Sequence, residues 1–206
     1  MFEYTSKKAE SMWLLPIEKW AFEPLDFTAL FPERKRVEIE IGFSSAFFLS
    51  KYANKYSDTA FLGIEKNFKY FQHGFNSLER NLQQDNVKVT CFDAIAFLRE
   101  LVPLNSLDAI HIYFPDPWPK RKHRPRRIVN AENLMMMRNR LKHHGKIYMA
   151  TDHPDYGEWM RLQVTEVEQH FTIHPYDYSH REVTTKWEDR QRKAGWNIHY
   201  FLLEKP

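Results

Sequence analysis

From residue 37 onward, short runs of apolar residues, or of apolar residues alternating with polar ones, are followed each time by a longer stretch with helical periodicity. This alternation predicts strands at 37–41, 59–64, 87–90, 107–114 and 146–150, and helices at 47–56, 68–82, 94–101, 131–141 and 156–170. Strands that alternate with helices in this way form parallel βαβ units with right-handed crossovers. We therefore predict an α/β fold with an open, mostly parallel sheet and helices on both faces. Alternating runs at 172–173 and 196–203 predict an antiparallel C-terminal edge.

The chain has 206 residues, a length typical of one domain, so we predict a single domain over residues 1–206. Residues 1–36 lack a clean period and are interpreted as an N-terminal extension packed on that domain, with a helix at about 6–20. A lone cysteine, Cys91, and the lack of a long apolar stretch favour a cytoplasmic protein without a membrane segment. Ten histidines without paired cysteines show no zinc-ligand spacing, so no metal is predicted.

Acidic side chains stand at the ends of the first four predicted strands: Glu40, Glu65, Asp93 and Asp116. Ligands of open α/β sheets bind at the carboxyl ends of the strands. Carboxylates accept hydrogen bonds from ribose hydroxyls, an amine or an ammonium group, whereas they repel a pyrophosphate. The set therefore favours S-adenosylmethionine over a dinucleotide. The alternative for each acid taken alone is a helix N-cap, and Asp93 fits that role before the helix at 94–101.

The strongest local signal is the segment Tyr-Phe-Pro-Asp-Pro-Trp-Pro-Lys at 113–120. Its prolines fix φ and remove backbone donors, which predicts a stiff loop that holds Asp116 and Trp118 in place. A structural turn plugged by the tryptophan is the alternative. Six of the eight residues at 120–127 are Lys or Arg, a patch that predicts phosphate contacts or, alternatively, a solvated loop. The overall charge of +3 does not by itself identify a nucleic-acid-binding protein.

These motifs resemble those of the bacterial tRNA (guanine-N7)-methyltransferases over nearly the whole chain from Val37. The likeness rests on the segments 38–42, 63–65, 92–94, 114–123, 151–152 and 185–188, with Gly195 downstream. Taken alone, Thr-Lys-Trp-Glu at 185–188 is typical of a helix capping box. The resemblance implies a Rossmann-like fold and methyl transfer from S-adenosylmethionine to N7 of a guanine in the tRNA variable loop, at tRNA position 46.

The resemblance also implies roles for individual residues. The cofactor site would be lined by Glu40, Gly42, Glu65, Asp93 and Asp116, with Asp116 as the catalytic residue. The substrate nucleotide would be contacted by Lys120, Asp152, Thr185, Lys186, Trp187 and Glu188. Further RNA contacts would come from Lys122, His123, Arg124, Arg126 and Arg127. The oligomeric state, monomer or homodimer, stays open.

One departure from the family pattern lies in the turn after the first strand, where glycines are expected at the positions of Ser44 and Ala46. Side chains there would crowd the amino-acid tail of the cofactor, since glycine lets the backbone approach a ligand. The alternative function is a catalytically weakened or silent tRNA-binding protein on the same fold. An amino-group methyltransferase acting on adenine ranks last, because its acid-Pro-Pro-aromatic motif is replaced by Asp-Pro-Trp-Pro at 116–119.

Overall fold

The computed structural model describes residues 23–206, which group into two units divided between Pro103 and Leu104. Each unit is described by itself, and the single-domain organisation stays a prediction. The predicted helix at about 6–20 lies outside the described residues. The rest of the N-terminal extension belongs to the first unit, where Leu25 and Phe31 are buried and the Leu25 amide donates to the Leu101 carbonyl at 2.8 Å.

The described residues of the first unit, 23–103, form three parallel strands and four helices. Its elements are α1 (Phe27–Leu30), β1 (Arg36–Ile41), α2 (Phe47–Lys55), β2 (Thr59–Ile64), α3 (Phe68–Asn81), β3 (Val87–Thr90) and α4 (Ala94–Glu100). The strands lie in the order β3-β2-β1, so β2 is central and every one of its residues is buried. Their parallel register places the carboxyl end of β1 beside that of β2, with Glu40 opposite Gly63.

An aromatic core joins the helices of the first unit to its sheet. Phe61 of β2 packs with Phe71, Phe75 and Leu78 of α3, and with Phe43 from the turn after β1. Gly63 leaves room for this core, because a Cβ there would lie 2.7 Å from the Leu49 side chain. The turn after β1 is therefore fixed by buried aromatic packing.

The second unit carries four strands, in the order β4-β5-β7-β6. Its elements are β4 (Leu107–Tyr113), α5 (Ala131–Arg140), β5 (Leu141–Thr151), α6 (Pro154–Glu166), β6 (Thr172–His174), α7 (Lys186–Lys193) and β7 (His199–Glu204), with short 3-10 helices at Arg121–Arg126, Glu168–His170 and Tyr178–His180. Strands β4 and β5 are parallel, whereas β7 is antiparallel to both β5 and β6. The predicted antiparallel C-terminal edge is confirmed.

Three elements of the second unit differ from the prediction. Strand β5 begins at Leu141, five residues before the predicted strand, because its early residues pair with the ends of β4 and β7. The helix predicted at 156–170 begins at Pro154 and ends at Glu166. The basic segment read as a loop forms a 3-10 helix at Arg121–Arg126. Hydrophobic periodicity carries no signal for a helix that buries none of its residues.

Candidate active site

The turn after β1 adopts a left-handed backbone at every second residue. Gly42, Ser44 and Ala46 have φ angles of 79°, 40° and 53°. The resemblance implies glycine at all three positions, and the left-handed conformation is present although two of the residues carry side chains. A left-handed conformation costs an L-residue roughly 1–2 kcal/mol, and this turn is therefore strained.

Packing holds this strained turn against α3. A Cβ on Gly74 would lie 2.3 Å from the Ser44 carbonyl oxygen, so only glycine allows this approach. The Ala46 methyl group is fully buried in the core with Leu49, whereas Ser44 is exposed. The expected crowding of the cofactor's tail therefore concerns the Ser44 side chain, because that of Ala46 belongs to the protein interior.

Two buried carboxylates lie at the ends of β1 and β2. Glu40 is 5% exposed and Glu65 is 8% exposed. The Glu65 carboxylate accepts the Ser44 amide at 3.3 Å and the Asn67 amide at 2.8 Å. Glu65 thus connects the strained turn to the end of β2, and its side chain is oriented before any ligand binds.

Asp93, which follows β3, caps α4. Its Oδ1 accepts the amides of Ile95 and Ala96 at 3.0 and 3.1 Å, and its Oδ2 accepts Lys66 Nζ at 2.8 Å. Burial alone would raise the pKa of Asp93, but the Lys66 hydrogen bond and the two amides outweigh it and hold the pKa below its usual value. The N-cap interpretation of Asp93 is therefore correct, and any contact with an amine of a ligand would compete with Lys66.

In the second unit, the proline-rich loop after β4 is fastened on both sides of Asp116. The Phe114 amide donates to the Ala150 carbonyl at 2.8 Å, and the Pro117 carbonyl accepts Arg127 Nε at 2.8 Å. Phe114 and Trp118 have φ angles of 54° and 43°. Bulky residues rarely adopt such angles, and strain of this kind clusters at functional sites. Asp116 itself is exposed between these anchors.

Trp118 lies among basic side chains and not in the core. It is partly buried, with the Arg126 guanidinium 5.0 Å from its ring centroid and the His123 ring 5.7 Å away at 90°. Lys120, Lys122 and Arg126 are exposed. The loop therefore presents Asp116 beside a cationic surface of the kind that contacts phosphates.

Arg127 differs from its expected place at the RNA surface. Its side chain is 1% exposed, pairs with Asp155, and lies 4.8 and 5.4 Å from the ring centroids of Tyr156 and Trp159. Arg124 also pairs with Asp155, at 2.6 Å, and is 38% exposed. A buried guanidinium cannot reach RNA, so Arg127 positions the loop through Pro117, and Arg124 is partly committed to the same carboxylate.

The Arg127–Asp155 pair predicts a pH dependence. The Arg127 hydrogen bond is the main cause of a pKa of Asp155 below its ordinary 3.8. This contribution to stability is fully present above the unfolded-state pKa near 3.8 and is lost as the pH falls through the lower folded-state pKa. Asp155→Asn is expected to flatten the acid limb of the unfolding free energy, measured by urea denaturation at a series of pH values below 5. An acid limb as steep as that of the wild type would contradict this prediction.

Asp152, at the end of β5, receives two side chains from α7. Its Oδ2 accepts Trp187 Nε1 at 2.9 Å and Gln191 Nε2 at 2.7 Å. Trp187 is 46% exposed and Lys186 is exposed. The structure thus brings together two of the residues expected at the substrate nucleotide, Asp152 and Trp187, and leaves Lys186 exposed next to Trp187 in the chain.

Thr185 and Glu188 form the capping box of α7. Thr185 Oγ1 accepts the Glu188 amide at 3.0 Å, and Glu188 Oε2 accepts the Thr185 amide at 3.3 Å. Glu188 is fully buried, accepts Arg181 at 2.9 Å on Oε2 and accepts the Tyr200 hydroxyl at 2.8 Å on Oε1. The expected nucleotide contact by Glu188 is replaced by a structural role, because no face of its carboxylate is open to a ligand.

Sequence reasoning missed Arg181, Tyr200 and Asp155. The Arg181 side chain is 1% exposed, and its guanidinium lies 3.8 Å from the Tyr113 ring centroid and 3.3 Å from the Tyr176 hydroxyl. No local pattern distinguishes such an arginine from a solvated one. Between residues 23 and 206, no three His, Cys, Asp or Glu side chains are grouped as metal ligands, and no helix is long and apolar enough to span a membrane.

Comparison with known proteins gives consistent matches. A profile of the family described as "Putative methyltransferase" matches residues 34–201. A protein of Pectobacterium atrosepticum named tRNA (guanine-N(7)-)-methyltransferase is 30% identical over 200 residues, which are 95% of this chain and 83% of that protein. The protein of the same name from Thermotoga maritima is 32% identical over 184 residues, 88% of this chain and 58% of its own.

Solved structures resemble this chain in fold. The 16S rRNA methyltransferase KamB aligns with a TM-score of 0.59 at 13% identity, over 87% of this chain and 91% of its own. The aminoglycoside resistance methyltransferase NpmB1 aligns with a TM-score of 0.58 at 17% identity, over 84% and 89%. The predicted Rossmann-like methyltransferase fold is confirmed.

Proposed function

The chain belongs to the tRNA (guanine-N7)-methyltransferase family, and from this premise we propose that it transfers a methyl group from S-adenosylmethionine to N7 of the variable-loop guanine at tRNA position 46. The observation that carries the proposal is Asp116, an exposed carboxylate on a loop anchored on both sides. We also propose that the protein is cytoplasmic, where its tRNA substrate is found.

The residues of the first unit fit S-adenosylmethionine. When bound, this cofactor supplies an electrophilic methyl group on a sulfonium. Glu40 and Glu65 are buried carboxylates at neighbouring strand ends. Carboxylates accept hydrogen bonds, which suits the ammonium group and the ribose hydroxyls of the cofactor. The left-handed turn at 42–46 supports the same role, because it has the backbone conformation that glycine favours where a chain approaches a ligand.

Positioning dominates the proposed catalysis. Guanine N7 carries a free lone pair at neutral pH, so no base has to remove a proton before the attack, and the gain comes from holding the purine in line. Methylation leaves positive charge on the five-membered ring. Asp116 is proposed to orient the base and offset that charge, and its stiff loop lets it do so without reorganisation.

The second unit is proposed to hold the RNA. Lys120, Lys122 and Arg126 form the exposed cationic surface beside Asp116. Asp152 and Trp187 are proposed to contact the target nucleotide together with Thr185 and Lys186. Because the Trp187 indole donates to Asp152, both side chains are held in place before substrate binds. His123 is half-buried against Trp118, and it is proposed to contact the RNA from there.

A second candidate function is favoured by the strain at Ser44 and Ala46. Two L-residues with left-handed φ make this turn costly to hold, and the exposed Ser44 side chain is added where the family has none. A protein with a weakened cofactor site would still bind tRNA through the second unit. This is the catalytically silent binder.

The two candidates are separated by titrating S-adenosylmethionine into the protein by calorimetry and then measuring methyl transfer to an unmodified tRNA transcript. The proposed enzyme shows saturable binding and methyl label at N7 of guanine 46, and a transcript with adenine at that position stays unlabelled. Binding of tRNA without binding of S-adenosylmethionine would contradict methyl transfer and leave the silent binder.

A further inference from the structure

An open pocket lies beyond the C-terminal end of α7, beside the 3-10 helix at Tyr178–His180. Its walls include Tyr178, Ser179, Arg192, Trp196, Asn197 and Tyr200. Trp196 is 57% exposed and Tyr178 is 41% exposed, so both aromatic side chains are partly open to solvent. None of these six residues belongs to the cofactor or substrate sites proposed above.

The exposure of Trp196 is built into the end of α7. Gly195 has a φ of 79°, its amide donates to the Arg192 carbonyl at 3.0 Å, and the Trp196 amide donates to the Gln191 carbonyl at 3.0 Å. These two bonds form a Schellman motif, whose residue after the glycine often packs back on the helix. Here that residue is an exposed tryptophan, held in place by backbone hydrogen bonds.

The pocket lining includes one cation, Arg192, and one carboxylate, Asp177, which is engaged by Ser179 and His180. The Arg192 guanidinium lies over the Tyr178 ring, and Lys193 follows it in the last turn of α7. Tyr200, which also lines the pocket, donates its hydroxyl to the buried Glu188 at 2.8 Å. Flat aromatic faces beside guanidinium and ammonium groups are the combination that binds single-stranded nucleic acid, by base stacking and phosphate attraction.

The pocket is separate from the residues proposed to hold the target guanine. Those residues, Asp152 and Trp187, meet at the first turn of α7. The helix has 8 residues and is therefore about 12 Å long at its usual rise. The pocket at its far end lies within reach of a nucleotide close to the target in the same RNA.

We propose that this pocket binds an unpaired nucleotide of the tRNA other than the methylated guanine, with its base stacked on Trp196 and its phosphate attracted by Arg192. The inference rests on the proposed function for the identity of the RNA. Its role is affinity for tRNA and not the chemical step.

The test compares Trp196→Ala, Trp196→Phe and a control, Leu162→Ala, an apolar residue of α6 that is 49% exposed. Binding of an unmodified tRNA transcript is measured by fluorescence anisotropy at several salt concentrations. Stacking contributes roughly 1–3 kcal/mol per base, so Trp196→Ala is expected to raise Kd about 5- to 150-fold, with Trp196→Phe and Leu162→Ala close to wild type. The Trp196→Ala variant should keep the wild-type kcat at saturating tRNA and the wild-type affinity for S-adenosylmethionine.

The salt dependence of tRNA binding distinguishes base stacking on Trp196 from phosphate attraction by Arg192. Trp196→Ala is expected to weaken binding equally at all salt concentrations, whereas Arg192→Gln should lower the slope of log K against log salt by about 0.7, the value for one phosphate of a single strand. Equal tRNA affinity of wild type and Trp196→Ala would overturn the proposal that the pocket binds a nucleotide. It would not affect the proposed methylation. Wild-type protein that binds tRNA through Trp196 but transfers no methyl group would overturn the methylation and leave the pocket.

Discussion

Replacing Asp116 by alanine is expected to lower kcat for methyl transfer to tRNA by about a hundred- to a thousandfold, the loss usual for one preorganised electrostatic group at a reacting centre. The backbone around Asp116 is held by hydrogen bonds at Phe114 and Pro117 and by the three prolines of the loop. The substitution therefore removes a charge without releasing the loop. Single-turnover methyl transfer with saturating S-adenosylmethionine measures the effect.

Two further variants define the role of the Asp116 charge. Asp116→Asn keeps the size and one acceptor oxygen, and is expected to recover part of the orientation of the base but not the compensation of its charge. Asp58→Ala, at an exposed aspartate of the first unit, is the control and should behave as wild type. If Asp116→Ala kept more than about a tenth of the wild-type kcat, the charge would not matter to the transition state.

Glu188→Ala is expected to lower the free energy of unfolding by about 3–5 kcal/mol, because it leaves the Arg181 guanidinium buried without its counter-charge. The two side chains are 1% and 0% exposed and 2.9 Å apart, and Glu188 also accepts Tyr200 and the Thr185 amide. Burial next to Glu188 raises the pKa of Tyr200 above its ordinary value, so the phenol stays a donor. Urea denaturation followed by circular dichroism measures the loss.

The double variant Arg181→Met/Glu188→Leu separates the cost of an orphaned charge from the loss of packing. Removing both charges is expected to restore much of the stability, since a buried ion pair is often replaced by apolar groups with little loss. Glu158→Ala, which breaks an exposed ion pair with Arg161, is the control and should change stability little. A Glu188→Ala variant as stable as wild type but with a raised KM for tRNA would instead make Glu188 a nucleotide contact.

Local patterns in the chain predicted most of the elements and the places where function belongs. Periodicity places β2 at 59–64 and β3 at 87–90, as the structure has them, because alternation and helical spacing depend only on near neighbours. The caps on α4 and α7 were likewise readable from Asp93 and from Thr185 with Glu188. Strand ends and the proline-rich loop then mark the candidate site.

Tertiary structure alone decided which side chains of that site face solvent. Arg127 and Arg126 are neighbours in one basic run, yet Arg127 is buried because Asp155, 28 residues later, lies against it. Glu188 is buried by Arg181 and Tyr200, and Ala46 by the aromatic core, so neither side chain is open to a ligand. Most of the elements and the location of the candidate site follow from local spacing, so they could be predicted from the sequence alone. Burial and pairing depend on contacts between distant residues, which only the folded chain brings together.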